Sequence, residues 1–340
     1  MIPRRSAEPT PLTPVELRPF GQTGLHVSAL GFGGANIGFT DISDKTLDRM
    51  FGAALELGVN LIDTAAMYGD SEEKIGRALH GRRQQYLICT KCGRCLPPRR
   101  SPNGFFMRLQ RKLRRSMGLA EKYESLDWHP RAIEWSIHRS LRRLKTDHID
   151  LLLLHSCSEE TLQKEEVLGV LHRARKSGKV RFIGYSGDGP AALYAIRSGQ
   201  FQAVEISINI ADQDGIDTVL PLATQKGMGV IAKRPLANNL WKSTQRPDPV
   251  RYPHYQVYWE RLRQLRYDFL QSDRASEIGL RFTLSVPGAH TAIPGTTNPE
   301  HLLENANTQP KVPYPAPGPQ FDAIRSTWSK ISKPSWIGQI

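Results

Sequence analysis

The chain has 340 residues, 39% of them hydrophobic, with a formal net charge of +13 and a pI near 9.7. That length suits one large domain with a sizeable core, and no apolar run is long enough to span a bilayer. The opening Met1-Ile-Pro-Arg-Arg lacks the apolar core of a secretion signal and there are only four cysteines, so a reducing, cytoplasmic setting is expected.

In chain order, residues 1–14 read as an extended or disordered lead. A turn at Gly21 to Gly24 between short apolar runs predicts a β-hairpin. Strand-like runs are then expected to begin near Ser28, Asn60, Tyr86, Asp150, Lys179, Ala203, Met228 and His290. They alternate with amphipathic helices expected over 46–57, 72–79, 130–144, 160–177, 190–198, 218–226, 276–284 and 299–306. Eight βα repeats with right-handed connections favour an α/β fold of the (β/α)8 TIM-barrel type over residues 15–308, with the hairpin capping its base. No Gly-x-Gly-x-x-Gly opens a helix after the first strand, which argues against a Rossmann nucleotide site. The surplus length falls in a basic insertion at 96–126, a long loop at 238–273 with room for an extra helix over 255–270, and a Pro-rich tail at 309–340 expected to pack on the barrel. Such loops shape substrate pockets.

Three strand-like runs close on ionisable residues: Asn60-Leu-Ile-Asp63, Tyr86-Leu-Ile-Cys-Thr-Lys91 and Ile149-Asp-Leu-Leu-Leu-Leu-His155. The carboxyl ends of barrel strands are where this architecture places its chemistry, and Tyr68 follows Asp63 in the next loop. Asp63, Tyr68, Lys91 and His155 fit one reaction. A free phenol, with a pKa of about 10, needs a nearby cation to give its proton readily near neutral pH. Lys91 can be that cation, Asp63 can pair with Lys91, and His155 can address the substrate oxygen. Protonating a carbonyl oxygen requires hydride at carbon, which no side chain donates, so a nicotinamide cofactor is implied. Taken singly, each residue could instead be structural, as a buried ion pair or a satisfied core histidine.

These segments resemble the aldo-keto reductase family. The likeness runs through Phe20-Gly-Gln-Thr-Gly-Leu-His-Val-Ser-Ala-Leu-Gly-Phe-Gly-Gly34, Gly58-Val-Asn-Leu-Ile-Asp-Thr-Ala-Ala-Met-Tyr-Gly69, Thr90-Lys91 and Ser140 to His155. It continues in Phe182-Ile-Gly-Tyr-Ser186, Ile231-Ala-Lys-Arg-Pro-Leu-Ala237 and Ile293 to Asn305, in the family's order over most of residues 17 to 306. The resemblance implies a carbonyl reductase acting on an aldehyde or ketone, with NADPH as cofactor and NADH as the rival. It also leaves open a redox-sensing or partner-binding subunit with little turnover.

By the same resemblance, Ser186 is the serine that holds the nicotinamide carboxamide, while Gly187 stands where asparagine is common. Glu205 falls where glutamine is usual, and Ile208 replaces the aromatic that stacks on nicotinamide in many members. Lys233, Arg234, Pro235 and Leu236 match the loop that holds the pyrophosphate. At the adenosine end Thr296, Thr297 and a helix N-terminus can receive phosphate, and Glu304 and Asn305 match the adenine contacts. Gly295 and His301 occupy places where many members carry the Lys and Arg that grip the 2'-phosphate. Phe32, Trp128, Trp241 and Trp259 are candidate walls of a substrate pocket.

The basic runs at 108–115 and 139–145 raise the question of a polyanion, but no nucleic-acid motif accompanies them and no nucleic acid is expected as partner. Phe105-Phe-Met107 with the following Arg and Leu could form an amphipathic helix touching a membrane or partner. Cys89, Cys92 and Cys95 are evenly spaced and Cys157 follows His155. Strand parity points Cys89 inward with Lys91 and leaves Cys92 on the following loop, so convergence on a metal is not expected. Ordinary thiols, a Cys92–Cys95 redox pair and a metal site are the three readings.

Overall fold

The computed structural model describes residues 14–95, 125–248, 253–308 and 318–339. Strands β1 (Leu17–Pro19) and β2 (His26–Ser28) form an antiparallel hairpin. Then come β3 (Phe32–Gly33), α1 (Asp44–Glu56), β4 (Leu61–Asp63), α2 (Ser71–Ala78) and β5 (Leu87–Cys92). A two-stranded ladder, β6 (Arg94–Cys95) with β7 (Ser125–Leu126), precedes α3 (Pro130–Leu144). The chain continues through β8 (Ile149–His155), α4 (Glu159–Leu162), α5 (Glu165–Lys176), β9 (Val180–Ser186), α6 (Gly189–Arg197) and β10 (Ala203–Ser207). It finishes with α7 (Asp214–Thr218), α8 (Leu220–Gln225), β11 (Gly229–Lys233), α9 (Pro253–Leu265), α10 (Ala275–Leu284), β12 (Thr291–Ile293), α11 (Pro299–Asn307) and α12 (Pro319–Ile331).

Eight strands form one parallel sheet in the order β12-β11-β10-β9-β8-β5-β4-β3. Parallel bridges from Leu30 to Ala292 and from Gly33 to Gly295 join its two edges. The sheet is therefore a (β/α)8 barrel, with the hairpin at its base. Phe20, Leu25 and Val27 of the hairpin share one apolar cluster with Leu61, Cys89, Leu151, Leu153, Ala203, Ile231 and Ile293. A Cβ at Gly229 would overlap the Phe20 ring, so the plug fits only against a bare backbone. The larger cluster, from Leu47, Phe51 and Ile62 to Trp328 and Trp336, lies between barrel and helices.

Local signals set the helix starts. Ser43 accepts from the Thr46 N–H ahead of α1, Asn298 accepts from the Glu300 N–H ahead of α11, and Pro130 and Pro299 open their helices where no donor is needed.

Three expectations are corrected. The first barrel strand begins at Phe32, not near Ser28, because Ser28 is tied to Asn60 through a backbone N–H to Oδ1 contact of 2.7 Å and ends the hairpin. The helix expected over 160–177 is two helices, since Ser158 caps α4 separately. The one expected over 218–226 breaks at Val219, where Pro221 removes a donor and starts α8 afresh.

In the long loop, α9 spans Pro253–Leu265 and a 3-10 turn covers Asp268–Gln271. Arg261 and Tyr258 of α9 reach the segment after β10, where Tyr258 Oη donates to Asp212 at 3.0 Å. In the tail, α12 buries Ile324 and Trp328. The amphipathic and basic runs at 105–115 lie outside the described residues. Among the described residues no helix is long and apolar enough to cross a membrane.

Candidate active site

Strand parity builds the site. β4 turns Leu61 and Asp63 inward, β5 turns Cys89 and Lys91 inward, and β8 turns Leu151, Leu153 and His155 inward. One register row runs His155, Ser186, Glu205 from β8 to β10. Asp63, Lys91, His155, Ser186 and Glu205 are all buried. They meet at the carboxyl ends of the strands, where loops are free to vary while the strands hold the side chains still.

Lys91 is the hub. Its ammonium pairs with Asp63 Oδ1, donates to the Thr64 carbonyl at 3.1 Å and lies 3.2 Å from Glu205 Oε2. It also sits 5.4 Å from the centroid of the Tyr68 ring, whose edge meets the His155 ring at a centroid distance of 5.9 Å. The Ser186 hydroxyl donates to Glu205 Oε1 at 3.0 Å. His155 Nδ1 is buried and has no hydrogen-bond partner among the described residues.

The electrostatics follow from one cation among two carboxylates in a dry site. Burial works against the Lys91 charge, but Asp63 and Glu205 hold its pKa well above the ordinary range. Burial and the Glu205 charge push the Asp63 carboxyl up, to about 8, against the pull of Lys91. Tyr68 is pushed up to about 12 by burial, with Lys91 opposing and Asp63 and Glu205 adding. Lys91 does pull the Tyr68 value down, but desolvation and the charges of Asp63 and Glu205 outweigh Lys91 and Arg234. The phenol is a stocked proton. His155 is held well below its ordinary value by burial and by Lys91, Arg94, Lys233 and Arg234, so its ring is neutral.

The pyrophosphate candidates are differently placed from two free cations. Lys233 is buried and paired with Asp188 at 2.8 Å. Arg234 donates to the Gln339 carbonyl at 2.6 Å and to Ser207 Oγ at 3.1 Å. Pro235 and Leu236 continue into a loop where Arg234, Ala237, Asn238 and Asn239 all have positive φ. Gly295 is exposed beside Gly33, Thr296 Oγ1 accepts from the Asn298 N–H at 3.0 Å, and Thr297 is half-buried. His301 and Glu304 are exposed on α11, with Asn305 half-buried.

Phe32 is corrected as a pocket wall. It pairs in register with the outward-facing Ile62, and its ring packs edge-on against Phe51 of α1, 5.1 Å between centroids. Trp128 packs on Gly93, two residues past Lys91, where a Cβ would overlap its ring. Trp241 packs near Gly279 with a buried indole N–H, and Trp259 is turned onto Arg263 and the Ser243 carbonyl.

Cys92 is the last residue of β5 and faces outward, not on the loop as its sequence position suggests. Burial pushes the thiols of Cys89 and Cys157 up, Cys157 to about 12. The Cys95 side chain lies outside the described residues. Asp63, Cys89 and Glu205 offer ligand atoms within 4.8 Å of one another, but the Lys91 ammonium already bridges the carboxylates.

Asp188 is not marked by any motif in the sequence. This carboxylate, two residues past Ser186, accepts from the Ser207 N–H at 2.6 Å and neutralises Lys233. Its only signal was that spacing. Glu72 is equally unmarked, buried on α2 and accepting from Thr90 Oγ1 at 2.8 Å.

The family model described as "Aldo/keto reductase family" matches residues 29–316. The chain belongs to the aldo/keto reductase family. It is 27% identical over 303 residues to D-threo-aldose 1-dehydrogenase of Pseudomonas sp, covering 83% of this chain and 89% of that protein. The solved aldo-keto reductase of Bacillus halodurans in its holo form is 25% identical with a TM-score of 0.72, covering 92% of this chain and 96% of that one. An aldo-keto reductase of Klebsiella pneumoniae solved with NADPH shares the fold at 20% identity and TM-score 0.66, covering 94% and 96%. As a member of this family, the protein is an oxidoreductase.

Proposed function

We propose that the protein reduces a small aldehyde or ketone with NADPH, Tyr68 giving the proton. The observation that carries this is the placement of a buried, charged Lys91 5.4 Å from the Tyr68 ring, with the neutral His155 ring edge-on to it. In this reading the bound nicotinamide supplies the hydride. Tyr68, protonated at neutral pH, donates to the carbonyl oxygen as negative charge develops there. Lys91 stabilises the phenolate left behind, and Asp63 keeps Lys91 charged in a site where burial alone would neutralise it. His155, neutral and with an open ring nitrogen, orients the same oxygen by a hydrogen bond.

The residues present fit the cofactor. Ser186 and Glu205 sit side by side, and a carboxylate that only accepts suits the two N–H donors of a carboxamide. Thr296, Thr297 and the N-terminus of α11 suit a phosphate. The loop from Lys233 to Leu236 is the proposed pyrophosphate contact, and Trp128 and Trp241 are the proposed pocket walls. NADPH is favoured by the family resemblance, although no Lys or Arg stands at Gly295 or His301.

The test is to mix the protein with NADPH or NADH and a panel of aldehydes and ketones, following the reduced nicotinamide absorbance, with Tyr68→Phe alongside. Turnover lost by about 10²-fold or more in the variant, with cofactor binding kept, supports the assignment. Cofactor binding without turnover on a broad panel turns the reading toward a sensing or partner-binding subunit.

A further inference from the structure

The site holds one more carboxylate than its ion pair requires. Lys91 is entirely buried, and both Asp63 and Glu205 contact its ammonium, from β4 on one side and β10 on the other. Above about pH 8, where Asp63 is ionised as well, the cluster carries a net charge of −1 in a dry barrel mouth. The second oxygen of Glu205 is fixed by the Ser186 hydroxyl at 3.0 Å, so the carboxylate cannot swing out to water.

The ionisable groups that feel this carboxylate are Asp63 on β4, Cys89 and Lys91 on β5, Tyr68 in the loop after β4 and Lys233 on β11. Arg234 adds its charge at Tyr68. Lys233 is already balanced by Asp188, and Cys89 is a buried thiol, which leaves Asp63, Lys91 and Tyr68 as the groups whose charge state Glu205 governs.

We propose that Glu205 is a positioning residue that shares Lys91 with Asp63 and, by drawing part of that charge away from Tyr68, holds the phenol protonated and confines alcohol oxidation, which needs the phenolate, to higher pH. This rests on the assignment of Tyr68 as proton donor. In carbonyl reduction the Tyr68 O–H bond breaks as the substrate O–H bond forms. In alcohol oxidation the phenolate must take that proton, so the reverse reaction needs the state that Glu205 opposes. Ser186 keeps the carboxylate aimed at Lys91.

The experiment compares the parent chain with Glu205→Gln, which keeps size and one hydrogen-bonding oxygen and removes the charge. Tyrosine ring carbons are labelled for NMR, and the Tyr68 signal is identified by its loss in Tyr68→Phe. Its shift is followed against pH in both proteins, beside NADPH affinity and the pH profile of alcohol oxidation. The expected result is that Tyr68 begins to titrate at a pH lower by about one unit in Glu205→Gln, a tenfold change in proton occupancy. The rising limb of the oxidation profile, set by ionisation of Tyr68, should move to lower pH with it.

An unmoved Tyr68 titration with weakened NADPH binding would make Glu205 a cofactor contact alone and overturn the proposal. The signal reports without turnover, so a protein that turns nothing over but shows the shifted signal loses the reductase assignment and keeps the charge-sharing. If Glu205→Gln does not fold, Asp63→Asn decides: a lower Tyr68 titration means Glu205 alone keeps Lys91 charged, and a higher one means it does not.

Discussion

Gly38 and Gly69 meet backbone to backbone at the entrance to the site. A Cβ on Gly38 would overlap the Tyr68 carbonyl oxygen, and one on Gly69, at φ +56°, would overlap the Gly38 carbonyl. The Asp70 N–H donates to the Gly38 carbonyl at 3.3 Å across the same contact. The loop that carries Tyr68 is thus held against the segment after β3 with no side chain between them, and the position of the phenol depends on that contact.

Gly38→Ala should therefore move Tyr68 without touching any charged group. We expect kcat to fall by about 10- to 100-fold, the scale on which small misplacements of a reacting group act. NADPH affinity should stay within about twofold, because the residues proposed to hold the cofactor lie on other strands. Steady-state kinetics with a fluorescence titration of cofactor checks both, and an equal loss in both quantities would place Gly38 in the cofactor site instead.

Lys91→Met leaves Asp63 and Glu205 buried with no cation between them. Removing one partner of a buried ion pair costs about 3–5 kcal/mol, and the carboxyls can recover part of that by taking up protons. Asp63, at about 8 beside Lys91, then rises further, so the variant's native state keeps a proton that the parent's native state and the unfolded chain both release. The stability deficit must accordingly grow as pH rises from about 7 to 9. Urea unfolding of parent and variant at the two pH values measures it. A deficit that is constant with pH would mean that the carboxylates reach water or another cation.

How much of this was legible in the sequence depends on the range of the interaction. The barrel was readable because each strand is a short apolar run and each helix a periodic one, both properties of neighbouring residues. Asp63, Lys91 and His155 were readable because period-two alternation from known strand ends fixes which way they point. Glu205 on Lys91 was not, since two inward residues on strands 114 positions apart meet only once the sheet closes. Phe32 failed for a related reason: its strand is two residues long, too short to show its parity. Arg234 reads as a phosphate ligand from its neighbours, and only the fold shows the Gln339 carbonyl on its guanidinium.

That last contact belongs to a strap. Arg234 and Arg261 donate to the carbonyls of Gln339 and Ile337, while the N–H groups of Gln339 and Gly338 donate to Asp212 and Asp214 at 3.1 Å. All four hydrogen bonds have a charged partner, and Asp212 and Arg261 are buried. Removing residues 337–340 should destabilise the protein by at least about 3 kcal/mol, given roughly 1.5–3 kcal/mol for each hydrogen bond to a charged group and partial rescue by water. Chemical denaturation checks it. A loss under about 1 kcal/mol would mean that water replaces the strap at almost no cost.

His290 provides a pH test away from the chemistry. Its Nδ1 accepts from the Val230 N–H at 3.0 Å, which requires a neutral ring, and its backbone N–H returns a bond to the Val230 carbonyl at 3.1 Å. Burial, with Arg18 nearby, lowers its pKa from 6.5 to about 4. A lowered value means that the unfolded chain takes up the proton first, so this contribution is whole above pH 6.5 and is lost as pH falls toward 4. At pH 5 the shift corresponds to about 2 kcal/mol. His290→Asn places an amide oxygen near the same N–H and cannot be protonated in this range. Unfolding free energies of parent and variant, measured from pH 7 down to 5, should converge as the parent loses its advantage. Parallel curves would mean that the imidazole finds another way to stay satisfied when charged, and that the Val230 contact is not what holds it neutral.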